Sequence, residues 1–157
     1  MGVSFNDNDI HAGRVAILST NPETNFTGAL NPGTVANENI TGLIGNRAII
    51  QGVSIQSAEQ IDWKVMFWSK DIFDDPVQAT DSYIGSHRFG TPQAVDRIAA
   101  ANQYRQNVDD LNLLYQDDDG SNELHVGIQN LNASGAGGTK SAGTPGFVKL
   151  TFKYEPR

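Results

Sequence analysis

The sequence lacks cysteine, which excludes disulfide bonds, thiolate metal sites and cysteine nucleophiles. Basic residues are few as well: 11 lysines and arginines stand against 18 aspartates and glutamates, for a net charge of −7. Binding along a phosphate backbone depends on clustered Lys and Arg, so this balance argues against a nucleic-acid partner. No stretch approaches the roughly 18 apolar residues of a membrane span, and we expect no membrane partner.

The N-terminal stretch MGVSFNDNDIHAGRV also lacks the basic start and the apolar segment of a secretory signal. We therefore expect a soluble protein that is synthesised in the cytoplasm. A chain of 157 residues has the usual size of one domain, and without cross-links its fold must depend on one hydrophobic core.

Alternation of apolar and polar residues with a period of two is the main structural signal, and it predicts β-strands. The clearest case is FVKLTFKY, where Val148, Leu150, Phe152 and Tyr154 fall on one face. Further strands are predicted in ELHVGIQNL, LNLLY, IDWKVMFW, AIIQGVSIQ and RVAIL, with a weaker one in SYIGSHRF.

The segments between these strands are long and rich in Gly, Asn, Thr and Ser. One helix is predicted over residues 91–103, with Thr91 as its N-cap and Pro92 at its first position. The pattern as a whole predicts an all-β fold, an antiparallel, jelly-roll-like β-sandwich with long loops and at most one short helix. Residues 1–157 form a single domain in this prediction, and the aperiodic region 1–46 is a candidate for an extended or partner-ordered arm.

Four side chains are candidates for an interface. Met66 and Trp68 fall on the face of their strand that should be polar, so they either pack under a loop or touch another subunit. Lys149 and Lys153 belong to a basic C-terminal segment, which either faces an acidic partner or protects an edge strand. Trp63 alternates with Val65 and is predicted to be a core residue, whereas Trp68 is left open as a sugar-stacking residue.

The segment YQDDDGSNELHVGIQN, residues 115–130, contains three consecutive aspartates and invites a test for an EF-hand. An EF-hand loop needs an acidic first residue, glycine at position six and glutamate at position twelve. With Gly120 at position six, Tyr115 is first and Val126 is twelfth. Neither side chain can bind calcium, so the segment is not an EF-hand.

Two interpretations of the acidic segment remain. Asp-Gly between two alternating apolar runs is a strong hairpin signal, which predicts a solvated turn that pairs strand 111–115 with strand 124–128. A looser calcium site formed by Asp117, Asp119 and Glu123 is the alternative, and we predict no other metal site.

No catalytic constellation is evident. Acids are plentiful, but no pattern selects the pair that a glycosidase requires. The histidines His11, His87 and His125 show no ligand spacing, and GAGGTKS departs from the phosphate-binding loop because Thr139 precedes Lys140. We therefore expect no catalytic residues, no cofactor and no enzymatic activity.

The C-terminal third, residues 110–156, resembles the ending of small virion proteins of tailed bacteriophages. A strand, an acidic turn, an ELHV strand at 123–126, a small-residue loop and a terminal strand ending in FKYEP at 152–156 follow one another in that order.

This resemblance implies a capsid decoration, or cement, protein. Such proteins are small, cysteine-free β-sandwiches that clamp neighbouring major capsid subunits, often as homotrimers. It implies a location on the capsid surface of the virion, with the major capsid protein as partner. A carbohydrate-binding β-sandwich on a virion or cell surface is the alternative, and two coplanar exposed aromatic rings would favour it.

Overall fold

A computed structural model describes residues 15–20, 33, 35–57, 60–72, 80–90, 93–98, 101–131 and 148–157. These residues form ten β-strands. The strands are β1 (Ala16–Ser19), β2 (Val35–Thr41), β3 (Arg47–Ser57), β4 (Trp63–Trp68), β5 (Tyr83–Gly90), β6 (Gln93–Ile98), β7 (Ala101–Val108), β8 (Leu113–Gln116), β9 (Glu123–Asn130) and β10 (Val148–Pro156). No helix in the described part of the chain is long and apolar enough to cross a membrane.

The strands form two antiparallel sheets, which confirms the predicted all-β sandwich. Sheet A has the order β1-β10-β3-β7-β6, with β8 also paired to β3, and sheet B has the order β2-β9-β4-β5. Strand β3 is long enough to pair with two strands along one side, with β7 at 53–57 and with β8 at 47–50.

This order is that of a jelly roll. Strands pair from the outside of the chain inward: β1 with β10, β2 with β9, β3 with β8, and β4 with β5. Rolling up this strip of pairs puts alternate pairs into alternate sheets and brings β10 beside β3 and β9 beside β4, as observed. The hairpin of β6 and β7 is an addition to the eight rolled strands.

The core lies between the sheets, where the predicted period of two holds in most strands. Trp63, Val65 and Phe67 of β4 face the apolar side chains of β10, and the rings of Phe67 and Phe152 meet edge to face at 6.0 Å. Burial of aromatic and branched side chains supplies most of the stabilisation in such a sandwich. The core prediction for Trp63 is confirmed.

The longest strand, β3, contains a β-bulge, which changes which of its residues face the core. Lys153 of β10 is opposite Gly52, and the next residue, Tyr154, is opposite Ile50, so Gln51 is left over. The carbonyl of Gln51 instead accepts a hydrogen bond from the Leu111 amide at 2.8 Å. The bulge lets buried side chains continue on both sides of the kink.

The helix predicted for 91–103 is wrong, because this region contains the paired strands β6 and β7. A narrow apolar stripe with an N-terminal cap is a local signal, and the pairing of β6 with β7 outweighs it. Strand β10 is not an edge strand either, since it lies between β1 and β3, so lysines that guard an edge do not explain its composition.

Parts of the region 1–46 are strands of the sandwich: β1 pairs with β10, and β2 pairs with β9. The sequence did not predict β2, whose VANENIT pattern has few apolar residues. The candidate arm was predicted over the whole of 1–46, and residues 1–14, 21–32 and 34 of it lie outside the described residues.

We expect Gly52→Ala to lower the free energy of unfolding by about 1–3 kcal/mol, because the added Cβ would lie 2.7 Å from the carbonyl oxygen of Val108. Gly85→Ala is the matched control in another strand: its Cβ would meet only the flexible end of Leu113, at 3.1 Å. Urea denaturation measures both. Equal losses of stability in the two variants would contradict the close packing of β3 against β7.

Candidate functional site at the β8–β9 crossover

The acidic segment connects the two sheets and does not form a hairpin. Strand β8 pairs with β3 in sheet A, whereas β9 pairs with β2 and β4 in sheet B. The predicted pairing of 111–115 with 124–128 is therefore wrong. Gly120 and Asn122 do adopt the left-handed conformation typical of turns, with φ of 68° and 57°, but they serve a wider crossover.

Asp117 is buried at the centre of this crossover, so the predicted solvated turn is wrong for this residue. Its Oδ1 accepts a hydrogen bond from the Asp119 amide at 3.1 Å. Its Oδ2 accepts hydrogen bonds from the Ser121 hydroxyl at 3.2 Å and from the Glu123 amide at 3.3 Å. One carboxylate thus organises the whole connection, while Asp118 and Asp119 remain exposed.

The electrostatics of Asp117 follow from these contacts. Burial alone would raise the pKa of this carboxyl. The hydrogen bond from the Glu123 amide, the contact with the His125 ring, and the hydrogen bonds from the Ser121 hydroxyl and the Asp119 amide outweigh burial and lower the pKa. Asp117 is therefore a buried carboxylate anion at neutral pH.

Tyr115, in β8, is hydrogen-bonded to the start of β9 on the other side of the crossover. Its hydroxyl donates a hydrogen bond to the Glu123 carbonyl at 2.9 Å and accepts one from the His125 amide at 3.0 Å. Burial raises the pKa of Tyr115, so the hydroxyl stays protonated and keeps its donor. This side chain of sheet A thereby holds the first residues of β9 in sheet B.

The crossover is also tied to neighbouring loops. The Asp117 amide donates to the Asn46 carbonyl at 2.8 Å, and the Asp118 amide donates to the Ser69 carbonyl at 2.7 Å. The Asp71 amide donates to Oδ2 of Asp119, also at 2.7 Å. The loop before β3 and the loop after β4 are thus fixed to the same point.

His125 is buried beside Asp117, on the outer face of sheet B. Its Nε2 lies 3.2 Å from Oδ1 of Asp117 and 3.6 Å from Oδ2 of Asp119. Its Nδ1 lies 2.8 Å from Oδ1 of Asn39 in the neighbouring strand β2. The Nδ2 of Asn39 in turn donates to Oδ2 of Asp71 at 2.7 Å.

The structure brings together two members of the predicted calcium set and replaces the third. Ligand atoms of Asp117, Asp119 and His125 all lie within 4.8 Å of one another, and Glu123 is not part of this group. The sequence did contain the signal for His125, because β9 alternates and puts it on the same side as Glu123. Its partner Asn39 is distant in sequence and belongs to a strand that was not predicted.

Met66 and Trp68 lie on the same outer face of sheet B, where they form a small buried cluster with Ile72. They pack under the chain that follows β4, which is one of the two predicted alternatives. Trp68 meets Tyr83 edge to face, with the ring planes at 65°, so these two rings are not coplanar as a sugar platform requires. A role for Met66 and Trp68 in an interface stays a prediction.

A groove of about 600 Å³ opens between β5 of sheet B and β8 of sheet A. Tyr83 and Leu114 line it, and their exposed fractions are 44% and 70%. Arg47 and Arg157 lie on its wall together with acids of the neighbouring loops. The sequence did not predict this groove, since it arises only where the edges of the two sheets meet.

The two lysines predicted as interface residues lie on β10. Lys153 is exposed, and Lys149 is half-buried. Both side chains point away from the core face, which Leu150 and Phe152 occupy. Their role in binding a partner also stays a prediction.

Taken together, fold and site define an all-β sandwich of jelly-roll order with a polar crossover between its sheets. No family model matches the chain, and no curated protein matches it. Among solved structures, it is similar to chains of three infectious bursal disease virus assemblies. These are the T13 viral particle (11% identity, TM-score 0.35), the T=1 particles derived from the virus (10%, 0.34) and the VP2 subviral particle (11%, 0.33).

The matches cover 90%, 92% and 92% of this chain but only 35%, 36% and 38% of the viral chains. The chain thus spans little more than a third of the length of the proteins it resembles. With TM-scores of 0.33 to 0.35, these matches establish neither a family nor a function.

We expect Tyr115→Phe to lower the free energy of unfolding by about 1–3 kcal/mol, because it removes a partner from the Glu123 carbonyl and from the His125 amide. Tyr83→Phe is the control, since this tyrosine is exposed, and should change stability by less than about 0.5 kcal/mol. Urea denaturation followed by tryptophan fluorescence gives both values. If Tyr115→Phe left the free energy of unfolding unchanged, the hydroxyl would not connect the sheets.

Proposed function

We propose that the chain is a non-enzymatic virion structural protein of the capsid decoration, or cement, type. In this proposal it binds the major capsid protein at the surface of the shell and stabilises the shell, and it does so as a homo-oligomer, a trimer. The resemblance of residues 110–156 to small tailed-phage virion proteins supports this choice among the functions that jelly rolls serve.

The observation that carries the proposal is the position of the exposed apolar side chains. Of the six large ones in the described residues, five belong to or adjoin strands at sheet edges, and Ile44 lies in a loop. The five are Val15 and Ile17 at β1, Val35 in β2, Tyr83 in β5 and Leu114 in β8. Proteins that remain monomeric usually protect edge strands with charge, whereas apolar edges are typical of assembling subunits.

The groove between β5 and β8 is the surface best suited to the capsid subunit. Tyr83 and Leu114 both line it, and tyrosine is among the side chains that most often anchor protein interfaces. In the described residues, β5 pairs only with β4 and β8 only with β3, so each keeps one open edge. An extended segment of a capsid subunit can add to such an edge through main-chain hydrogen bonds.

The β1 edge is suited to contact between copies of the chain. Ile17 is 67% exposed and Val15 is 47% exposed, so two apolar side chains lie two residues apart at β1, which pairs only with β10 in the described part of the chain. Weak contacts of this kind, repeated by symmetry on a shell, add up to firm attachment. In this proposal the groove between β5 and β8 binds the shell, and the β1 edge binds other copies of the chain.

The acids with the best-defined geometry have structural partners, which supports a non-enzymatic role. Asp62 binds Arg88 at 2.6 Å, and Asp117 accepts hydrogen bonds from the crossover it organises. A catalytic pair of carboxylates would instead face a cleft, with the pKa of one of them raised.

Shell binding is tested by cosedimentation of the purified chain with capsids that lack it. We expect Leu114→Ser to weaken binding about 30-fold, which corresponds to the roughly 2 kcal/mol of an anchor residue. Val35→Ser makes a comparable apolar-to-serine change at an edge away from the groove and should bind like the wild type. If the wild-type chain does not sediment with capsids, or if both variants bind equally well, the proposal fails.

Self-association is tested separately by sedimentation velocity. We expect the wild-type chain to form trimers and Ile17→Ser to shift the distribution toward monomer, because the apolar contact at β1 is lost. Leu114→Ser serves as the control and should remain trimeric. A wild-type chain that is monomeric at every concentration would contradict the homo-oligomer.

A further inference from the structure

We propose that Asp117, Asp119 and His125 bind one divalent transition-metal ion of the zinc class, which fastens the β8–β9 crossover to sheet B. This site is a property of the chain alone and does not depend on the capsid role proposed above. Two of the three side chains, Asp117 and His125, are buried, and Asp119 is 37% exposed.

The argument begins with the orientation of Asn39. Its Nδ2 donates to the Asp71 carboxylate at 2.7 Å, which fixes the amide so that Oδ1 points the other way. That oxygen lies 2.8 Å from Nδ1 of His125. Since an amide oxygen only accepts hydrogen bonds, Nδ1 of His125 must carry a hydrogen.

The remaining ring nitrogen then faces two anions. In the neutral tautomer with hydrogen on Nδ1, the lone pair of Nε2 points at Oδ1 of Asp117, 3.2 Å away, and at Oδ2 of Asp119, 3.6 Å away. Three acceptors that converge in a largely buried place repel one another unless a cation lies between them. That cation is either a metal ion or a proton on Nε2.

The distances fit a metal ion. Zn²⁺ bonds of about 2.0–2.2 Å at tetrahedral angles put neighbouring ligand atoms roughly 3.3–3.6 Å apart, close to the 3.2 and 3.6 Å observed. The exposed side of Asp119 leaves a position that water can fill and a path by which the ion can enter. Sites with three protein ligands and one water are usual for zinc.

The surroundings are those of metal ligands. A ligating histidine usually donates its other ring N–H to an oxygen, as His125 does to Asn39, and ligating carboxylates are themselves hydrogen-bonded. Asp117 receives the Asp119 and Glu123 amides, and Asp119 receives the Asp71 amide. These donors hold the ligand atoms in position before any ion binds.

The donor set also selects the class of ion. One imidazole nitrogen with two carboxylate oxygens suits zinc and its neighbours, whereas calcium takes six to eight oxygen ligands. An ion held here would connect β9, the crossover and, through Asn39 and Asp71, strand β2 and the loop after β4.

The test is a calorimetric titration of Zn²⁺ into the full chain after treatment with a chelator. We expect one ion per chain and a higher melting temperature in its presence. His125→Gln and Asp119→Asn should each weaken binding at least tenfold, and Asn39→Ala about 10–100-fold, as expected for a residue that orients a ligand. Asp118→Asn is the matched control: it neutralises the neighbouring exposed acid, whose carboxylate accepts a hydrogen bond from the Gln116 side chain at 2.7 Å, and should bind like the wild type.

Nitrogen NMR of the histidine rings identifies the atom that binds. We expect Zn²⁺ to shift Nε2 of His125 while Nδ1 keeps its hydrogen. No Zn²⁺ binding would overturn the proposal and leave the proton on Nε2 as the cation. Binding that His125→Gln leaves intact, or binding of Ca²⁺ in preference to Zn²⁺, would overturn it equally.

Discussion

The structure depends on one buried anion, the Asp117 carboxylate. The chain must pass here from sheet A to sheet B, and a crossover between sheets leaves backbone amides without strand partners. Asp117 accepts hydrogen bonds from the amide of Asp119 in the crossover and from the amide of Glu123 at the start of β9. Its charge is compatible with burial because hydrogen bonds from the Asp119 and Glu123 amides and the Ser121 hydroxyl replace its hydration.

The position of this crossover determines where the open edges of the sandwich lie. Hydrogen bonds from the crossover to Asn46 and Ser69 hold the end of β8 near the loops that precede β3 and follow β4. Leu114 of β8 and Tyr83 of β5 line the same groove. The surface proposed to bind a capsid subunit is thus a consequence of the way in which the chain changes sheets.

The sequence correctly predicted features that depend on one strand, such as its core face. It missed features that depend on which strands pair with each other. The alternation in β4, β9 and β10 identified the core faces correctly, because one buried face imposes a period of two. It failed at β2, where Asn37 and Asn39 face the covered outer side of sheet B and no apolar pattern exists. It failed again at β6 and β7, where the pairing of these two strands outweighs a local helix signal. It also failed at Asp119-Gly120, where a turn signal belongs to a crossover between sheets and not to a hairpin. The site brings together Asn39, Asp71, Asp117 and His125, and no local pattern can show that these meet.

The most direct test of this account is hydrogen exchange of the Asp119 and Glu123 backbone amides, measured by NMR on the wild-type chain. The account predicts slow exchange at both positions, comparable to that of the paired strands beside them, since both amides donate to a buried carboxylate. Exchange at the rates of an unstructured peptide would show that Asp117 lies in water, and the crossover as described here would be wrong.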